Sequence, residues 1–126
     1  MNHMTSHVLV VDDDPGIRFA LALKLKQTGY AVSEATDGRE AVDWFASKSA
    51  DLVIMDVGMP RMDGYAAAKA LRASPATRDV PVLFLTAQNL EVPADVQPHV
   101  GRHRFLTKPF SPRDVVQAVA ELLRGA

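Results

Sequence analysis

The sequence contains no cysteine, which excludes a disulfide framework, a thiolate metal site and thiol catalysis. It also has no long hydrophobic run near its start. The opening MNHMTSH has no basic region, and the apolar stretch that follows, residues 8–11, is far too short for a signal peptide or a membrane span. We therefore expect a cytoplasmic protein that does not contact a membrane.

The sequence has no large excess of charge of either sign. Lys and Arg number 14 and Asp and Glu 15, for a net charge of −1, so we expect no direct binding of nucleic acid. Its seven glycines form neither a G-x-G-x-x-G nor a G-x-x-x-x-G-K motif, which weakens the hypothesis of a nucleotide-binding module. With 126 residues the chain has room for one domain, 1–126, of which we expect residues 1–6 to be disordered or partly a cloning remnant.

Five short, largely apolar segments are predicted as strands, and the continuous rather than alternating hydrophobicity of the first indicates a strand buried on both faces. They are residues 8–11, 30–35, 51–56, 80–86 and 104–107. Helical patterns lie between them. A parallel sheet with helices on both faces is the fold that this alternation predicts.

The helix boundaries are marked by capping residues. Asp14 is predicted to cap a helix that begins at Pro15 and ends at Gly29. Further helices are predicted after Asp37, in the alanine-rich stretch that stops near Ser74 and Pro75, and from Ser111 onward. Pro93 and Pro98 disfavour a regular helix across residues 90–99, so we expect a short or irregular helix there.

The predicted strands are followed by residues that suit phosphate chemistry. Asp12, Asp13 and Asp14 follow the first predicted strand. The third strand ends in Asp56, the fourth ends in Thr86, and Lys108 follows the fifth. Ligands of open parallel sheets bind outside the carboxyl ends of the strands, so we expect these side chains to converge. Each alone has a plain structural explanation: Asp14 suits a helix cap, a threonine ends many strands, and a lysine after a strand is usually solvated.

Carboxylates gathered at one edge repel each other by about 1 kcal/mol per pair at about 4 Å in water, which favours binding of a cation. Oxygen ligands without His or Cys favour Mg²⁺. A hard cation, a lysine and a hydroxyl together can stabilise the charge on a phosphoryl group in transfer. One carboxylate can then act as the nucleophile.

Four strings of the sequence, VLVVDDDPGIR, DLVIMDVGMPRMDG, PVLFLTAQ and FLTKPF, resemble the receiver domain of two-component response regulators. They occur in the family's order, and the resemblance covers essentially the whole chain. It implies a flavodoxin-like fold, a five-stranded parallel sheet of order 2-1-3-4-5. It also implies a phosphoacceptor signalling domain rather than an enzyme, although such domains assist their own phosphorylation and dephosphorylation.

The resemblance assigns a role to each residue at the strand ends. Asp56 matches the aspartate that accepts a phosphoryl group from a kinase phosphohistidine. The Mg²⁺ ligands would be Asp12, Asp13, Asp56 and the backbone carbonyl of Gly58. Lys108 and Thr86 would bind phosphoryl oxygens, Thr86 and Phe105 would form the switch, and Pro109 would follow a cis peptide bond.

The implied partners are a sensor histidine kinase or phosphotransfer protein, and a downstream effector or an output domain outside this chain. The sequence departs from the family pattern in three places. Phe105 lacks the hydroxyl of the commoner tyrosine, residues 100–104 are basic, and residues 90–99 carry two prolines. Any rotation of the Phe105 ring must therefore be driven by packing alone.

Two further hypotheses stay open. Asp12-x-Asp14 also resembles the signature of haloacid dehalogenase-type phosphatases, with Asp12 as nucleophile and Asp14 as general acid, although Pro15 and Gly16 depart from that motif. The second hypothesis is a receiver fold that serves only as a docking scaffold. Such a scaffold would be expected to lack one of the site residues, and none is missing. The sequence does not distinguish a stand-alone regulator from part of a longer one.

Overall fold

A computed structural model describes residues 5–59, 62–87, 97 and 101–124. Strands and helices alternate through most of this part of the chain. In order they are β1 (His7–Val11), α1 (Pro15–Thr28), β2 (Ala31–Ala35), α2 (Gly38–Trp44), β3 (Leu52–Asp56), α3 (Gly64–Arg72), β4 (Val82–Thr86), β5 (His103–Thr107) and α4 (Pro112–Arg124).

The strands form one parallel sheet in the order β2-β1-β3-β4-β5, which confirms the predicted topology. β1 therefore lies between β2 and β3, and the chain reverses its direction across the sheet at β1. All strands end at the same edge because every pair is parallel. The residues that follow β1, β3, β4 and β5 are thereby brought together, which is the placement that a ligand site of this fold requires.

The central strands β1, β3 and β4 are buried on both faces, as their continuous apolar sequences predict, whereas the edge strands β2 and β5 consist mostly of partly buried and exposed residues. One face packs against α2 and α3 and the other against α1 and α4, because successive side chains of a strand point to opposite sides. The first layer includes Leu9, Val11, Met55, Phe84, Ala67 and Leu71. The second includes Val8, Val10, Ile54, Leu85, Leu21 and Val119.

Capping geometry sets both ends of α1 and the start of α4. The Asp14 carboxylate accepts hydrogen bonds from the backbone N–H groups of Gly16 and Ile17, and Gly29 ends α1 with a φ of 113°. At α4, Ser111 and Asp114 exchange side-chain-to-backbone bonds, each 3.1 Å long, in a capping box. No helix in the described ranges has the length and hydrophobicity of a membrane span.

Several predicted boundaries differ from the structure by one or two residues. The strand predicted from Val80 begins at Val82, because the N–H of Val80 bonds to the Thr77 carbonyl in a turn and Pro81 has no N–H. The helix predicted to reach Ser74 ends at Arg72, where the Thr77 hydroxyl donates to the Leu71 carbonyl. The predictions for residues 1–4 and for all but Gln97 of residues 90–99 fall outside the described residues.

Gly64, the first residue of α3, packs directly beneath Asp56. A Cβ at this position would lie 2.5 Å from the Asp56 backbone oxygen and 3.1 Å from Met55 Cγ. We expect Gly64→Ala to lower the free energy of unfolding by about 2–3 kcal/mol, because overpacking a tight core forces the backbone to move. Urea denaturation measures the change.

Gly58→Ala is the matched control for Gly64→Ala. Its Cβ would meet no atom of the described residues within 4 Å. We expect its unfolding midpoint to stay close to that of the wild type. Equal losses in the two variants would show that the glycines act through backbone freedom rather than through the close approach at Gly64.

Candidate metal and phosphoryl site

Four strands place the acidic residues, Thr86 and Lys108 at one edge of the sheet. Asp12 directly follows β1, and its N–H donates to the Ala35 carbonyl at the end of β2. Asp56 and Thr86 are the last residues of β3 and β4. Lys108 follows β5, and its N–H donates to the Thr86 carbonyl over 2.7 Å. The parallel pairing of β1 with β3, of β3 with β4 and of β4 with β5 thus places these four predicted site residues at the same edge of the sheet.

The carboxylates of Asp12, Asp13 and Asp56 form a tight cluster, with one oxygen from each within 4.8 Å of the others. Asp12 and Asp56 are buried, at 0% and 6% exposed, whereas Asp13 is exposed. The cluster is therefore closed on its protein side and reachable from solvent at Asp13. The N–H of Gly58 donates weakly to Asp56 Oδ1, over 3.4 Å.

Lys108 is the cation nearest Asp56 in the described structure. Its Nζ lies 3.5 Å from Asp56 Oδ1, and the side chain is 27% exposed. The Lys108–Pro109 peptide bond is cis. A single ammonium beside three carboxylates leaves the cluster with an excess of negative charge.

Burial is the main influence on the acidity of the two enclosed carboxyls. It raises the pKa of Asp12 above the ordinary value of 3.8, and the nearby Asp56 raises it further, against a hydrogen bond from the Asp14 N–H. Burial likewise raises the pKa of Asp56, opposed mainly by the charge of Lys108. Burial thus destabilises the charged form of both carboxylates, and Lys108 offsets only part of this effect.

The cluster fits a small divalent cation. Asp12 Oδ1 accepts from the Asp14 N–H over 2.9 Å, while Oδ2 is buried without a hydrogen-bond partner among the described residues. A buried carboxylate oxygen left without a donor is costly unless a ligand satisfies it. Oxygen donors alone, one of them open to solvent, suit Mg²⁺, which retains several of its waters.

Of the two predicted switch residues, Thr86 ends β4 at this edge of the sheet, whereas Phe105 lies within β5, paired with Phe84. Thr86 is buried, and the partly buried Phe105 ring stacks on Phe84 at 5.3 Å between centroids with an interplanar angle of 25°. Tyr65 of α3 closes the aromatic group, at 5.2 Å from Phe84 and 6.4 Å from Phe105. Its hydroxyl is buried and finds no partner within the described ranges.

Sequence reasoning did not single out Tyr65 or Arg18. Arg18 Nη1 donates to the backbone carbonyl of Asp12 over 2.8 Å. Its position one helical turn after the cap Asp14 was the available signal, because that spacing returns a side chain to the start of the helix. Nothing comparable in the sequence marks Tyr65, which reads only as part of the helix's apolar face.

The phosphatase hypothesis gains no support from Asp14. Its carboxylate is engaged as the N-cap of α1, with Oδ1 bonded to two backbone N–H groups at 2.8 and 3.2 Å. It is absent from the cluster formed by Asp12, Asp13 and Asp56. The plain structural explanation of Asp14 as a helix cap is confirmed.

The family model for the response regulator receiver domain matches residues 8–120. This chain belongs to the response regulator receiver family. Members of the family are phosphoacceptor domains of two-component signalling systems, which is the function that the resemblance implied.

Relatives and solved structures agree with this assignment. The chain is 39% identical to the response regulator MprA of Mycolicibacterium vanbaalenii, over 96% of this chain and 52% of that protein. It is 37% identical to the alkaline phosphatase synthesis transcriptional regulatory protein PhoP of Bacillus subtilis, over 96% and 50%. The receiver domain thus spans about half the length of these curated relatives.

Two solved structures are similar along almost their whole length. The chemotaxis response regulator CheY4 of Vibrio cholerae has a TM-score of 0.86 and 33% identity, covering 94% of this chain and 99% of that one. The receiver domain of sensor histidine kinase PA1611 from Pseudomonas aeruginosa has a TM-score of 0.85 and 28% identity, covering 97% and 100%. The latter structure is described with a magnesium ion coordinated in its active-site cleft.

The buried carboxylate of Asp12 is expected to lower the stability of the metal-free protein. Because the folded receiver domain binds the Asp12 proton more tightly than the unfolded chain, stability falls as pH rises above 3.8 through the folded pKa. We expect Asp12→Asn in EDTA at pH 7 to raise the free energy of unfolding by on the order of 1–3 kcal/mol. Like charges about 4 Å apart repel by about 1 kcal/mol in water and about 4 kcal/mol at an effective dielectric of about 20.

Denaturation of wild type and Asp12→Asn across the acidic and neutral pH range tests this effect. The difference should shrink towards pH 3, where the wild-type carboxyl is protonated, and Asp43→Asn on the exposed side of α2 should show no comparable gain. A destabilised Asp12→Asn at pH 7 would mean that protein donors already satisfy the ionised carboxylate.

Proposed function

We propose that Asp56 is the phosphoryl acceptor of this receiver domain and that Asp12, Asp13, Asp56 and the carbonyl of Gly58 hold Mg²⁺. The observation that carries the proposal is the cluster itself. Three carboxylate oxygens lie within 4.8 Å of one another, and Lys108 Nζ lies 3.5 Å from Asp56. Asp56 is the member that contacts both the lysine and the loop after β3.

When bound, Mg²⁺ supplies positive charge that offsets the carboxylates and orients the phosphoryl oxygens. The residues do the rest. A carboxylate oxygen of Asp56 attacks the phosphorus of a phosphohistidine, the P–N bond breaks, and the imidazole leaves with the bonding electrons. Lys108 is placed to pair with one phosphoryl oxygen, and the Thr86 hydroxyl to donate to another.

The same side chains support loss of the phosphoryl group. Water then attacks phosphorus, the bond to the Asp56 oxygen breaks, and the carboxylate and inorganic phosphate are released. Exposure of the cluster on the Asp13 side lets water reach it. The domain in this proposal assists its own phosphorylation and dephosphorylation but turns over no separate substrate.

The proposed partners follow from this chemistry. The donor is a sensor histidine kinase or phosphotransfer protein, and the receiver domain acts in the cytoplasm. The relatives MprA and PhoP are about twice as long as this chain and are named as regulators. The receiver of the proposal therefore acts on a downstream effector, or on an output domain outside this sequence, through a surface that depends on Thr86 and Phe105.

Labelling with acetyl phosphate tests the metal requirement. We expect intact-mass spectrometry to show one added phosphoryl group with Mg²⁺ present and none in EDTA, because the charge of the cluster repels the incoming phosphate without a cation. Restoring excess Mg²⁺ to the EDTA sample is the control for protein integrity. Equal labelling in EDTA would contradict the magnesium site.

A further inference from the structure

Arg18 of α1 joins three parts of the fold beside the metal cluster. Its Nη1 donates to the Asp12 backbone carbonyl over 2.8 Å, and its Nε pairs with Glu34 Oε1 of β2 over 3.1 Å. The Arg18 side chain is 19% exposed and that of Glu34 is 40% exposed, so the bond to the Asp12 carbonyl is better shielded from solvent than the ion pair. The guanidinium thus links β2 to the segment after β1 that carries Asp12 and Asp13.

The backbone of Asp12 is held on both sides by these contacts. Its N–H bonds to the Ala35 carbonyl of β2, the residue after Glu34, and its carbonyl bonds to Arg18. The carbonyl of Asp12 belongs to the peptide unit that joins it to Asp13. Fixing that peptide fixes the positions from which both the Asp12 and Asp13 carboxylates extend.

The charge of Arg18 has the opposite effect on metal binding. A cation near the cluster reduces its attraction for a second cation, although Glu34 partly offsets that charge. The electrostatic and geometric roles therefore predict opposite signs when Arg18 is replaced by a neutral residue. This difference in sign makes the two roles separable by experiment.

We propose that Arg18 is a positioning residue, which orders the Asp12–Asp13 peptide for metal binding through its two simultaneous contacts with Asp12 and Glu34. The inference rests on the proposed Mg²⁺ site. The guanidinium makes two contacts from separate nitrogens, which explains why arginine rather than lysine occupies position 18. Lysine carries the same charge, but its three N–H donors share one nitrogen, whereas Arg18 reaches Glu34 and Asp12 with two separate nitrogens, Nε and Nη1.

The test compares wild type, Arg18→Gln and Arg18→Lys by calorimetric titration with MgCl₂ at constant ionic strength. We expect both variants to bind Mg²⁺ about tenfold more weakly, within the range of about 10–100-fold for loss of a group that orients metal ligands. Arg104→Gln is the matched control, because it removes an arginine from another ion pair, with Glu121 between β5 and α4. Its affinity should match that of the wild type.

Denaturation of the same proteins in EDTA separates positioning from plain stability. Lower stability of the Arg18 variants with unchanged Mg²⁺ affinity would overturn the proposal in favour of a structural role. Tighter binding by Arg18→Gln, with wild-type affinity in Arg18→Lys, would overturn it in favour of charge alone. A wild type that binds no Mg²⁺ would overturn the proposed metal site itself, and with it the role of Arg18.

Discussion

Asp56→Asn should reduce transfer of a phosphoryl group to this receiver domain by at least about 10³-fold, because removal of a nucleophile costs that much or more. The amide has the size of the carboxylate but offers a far weaker nucleophile and no negative charge. Asp56 is 6% exposed and lies 3.5 Å from Lys108, so the amide is expected to occupy the same place. The loss is therefore chemical rather than a consequence of unfolding.

Time courses with acetyl phosphate and Mg²⁺, followed by intact mass and by peptide mapping, measure the loss. Asp63→Asn is the matched control on the same chain segment. Asp63 caps α3 by accepting from the Ala66 N–H, a role that asparagine fills equally well. Labelling that persists in Asp56→Asn and maps to Asp12 would support the phosphatase hypothesis and refute Asp56 as the acceptor.

The parallel sheet with helices on both faces could be predicted because the signals are local and repeated, whereas the strand order 2-1-3-4-5 was implied by the resemblance to receiver domains. Continuous apolar segments, helix caps such as Asp14 and Gly29, and the order of the motifs all favour the same parallel sheet. Strand ends were less well defined. The start of β4 depends on a bond from the Val80 N–H to the Thr77 carbonyl, and the residue pattern does not show where that N–H turns.

The residues of the site likewise divide into those whose placement could be predicted from the sequence and those whose contacts could not. Convergence of Asp12, Asp56, Thr86 and Lys108 could be predicted because parallel strands end at one edge. Contacts made by long side chains could not, since they depend on rotamers and on neighbouring strands. The ion pair between Arg18 and Glu34 forms only because β2 lies beside β1. The burial of the Tyr65 hydroxyl depends on how α3 packs over Phe84.

Thr86→Ala should separate phosphorylation from its structural consequence. Asp56 and Lys108 remain in the variant, so we expect it to accept the phosphoryl group. The change at Phe105 should be lost, because that ring shares β5 with Thr107, the residue paired with Thr86. One hydrogen bond to a charged oxygen contributes about 1.5–3 kcal/mol, so its removal shifts the population of the switched state by about 10- to 100-fold.

The Phe105 ring has the surroundings that a two-state element needs. The ring is stacked on Phe84. The neighbouring Tyr65 hydroxyl is buried and has no hydrogen-bond partner within the described structure. A second arrangement of these rings could therefore give that hydroxyl a hydrogen-bond partner. Ring resonances of Phe105 with and without beryllofluoride report the change. Thr86→Ser, which keeps the hydroxyl, should respond like the wild type, whereas an unaltered Phe105 response in Thr86→Ala would show that phosphorylation reaches β5 by a route that does not use this hydroxyl.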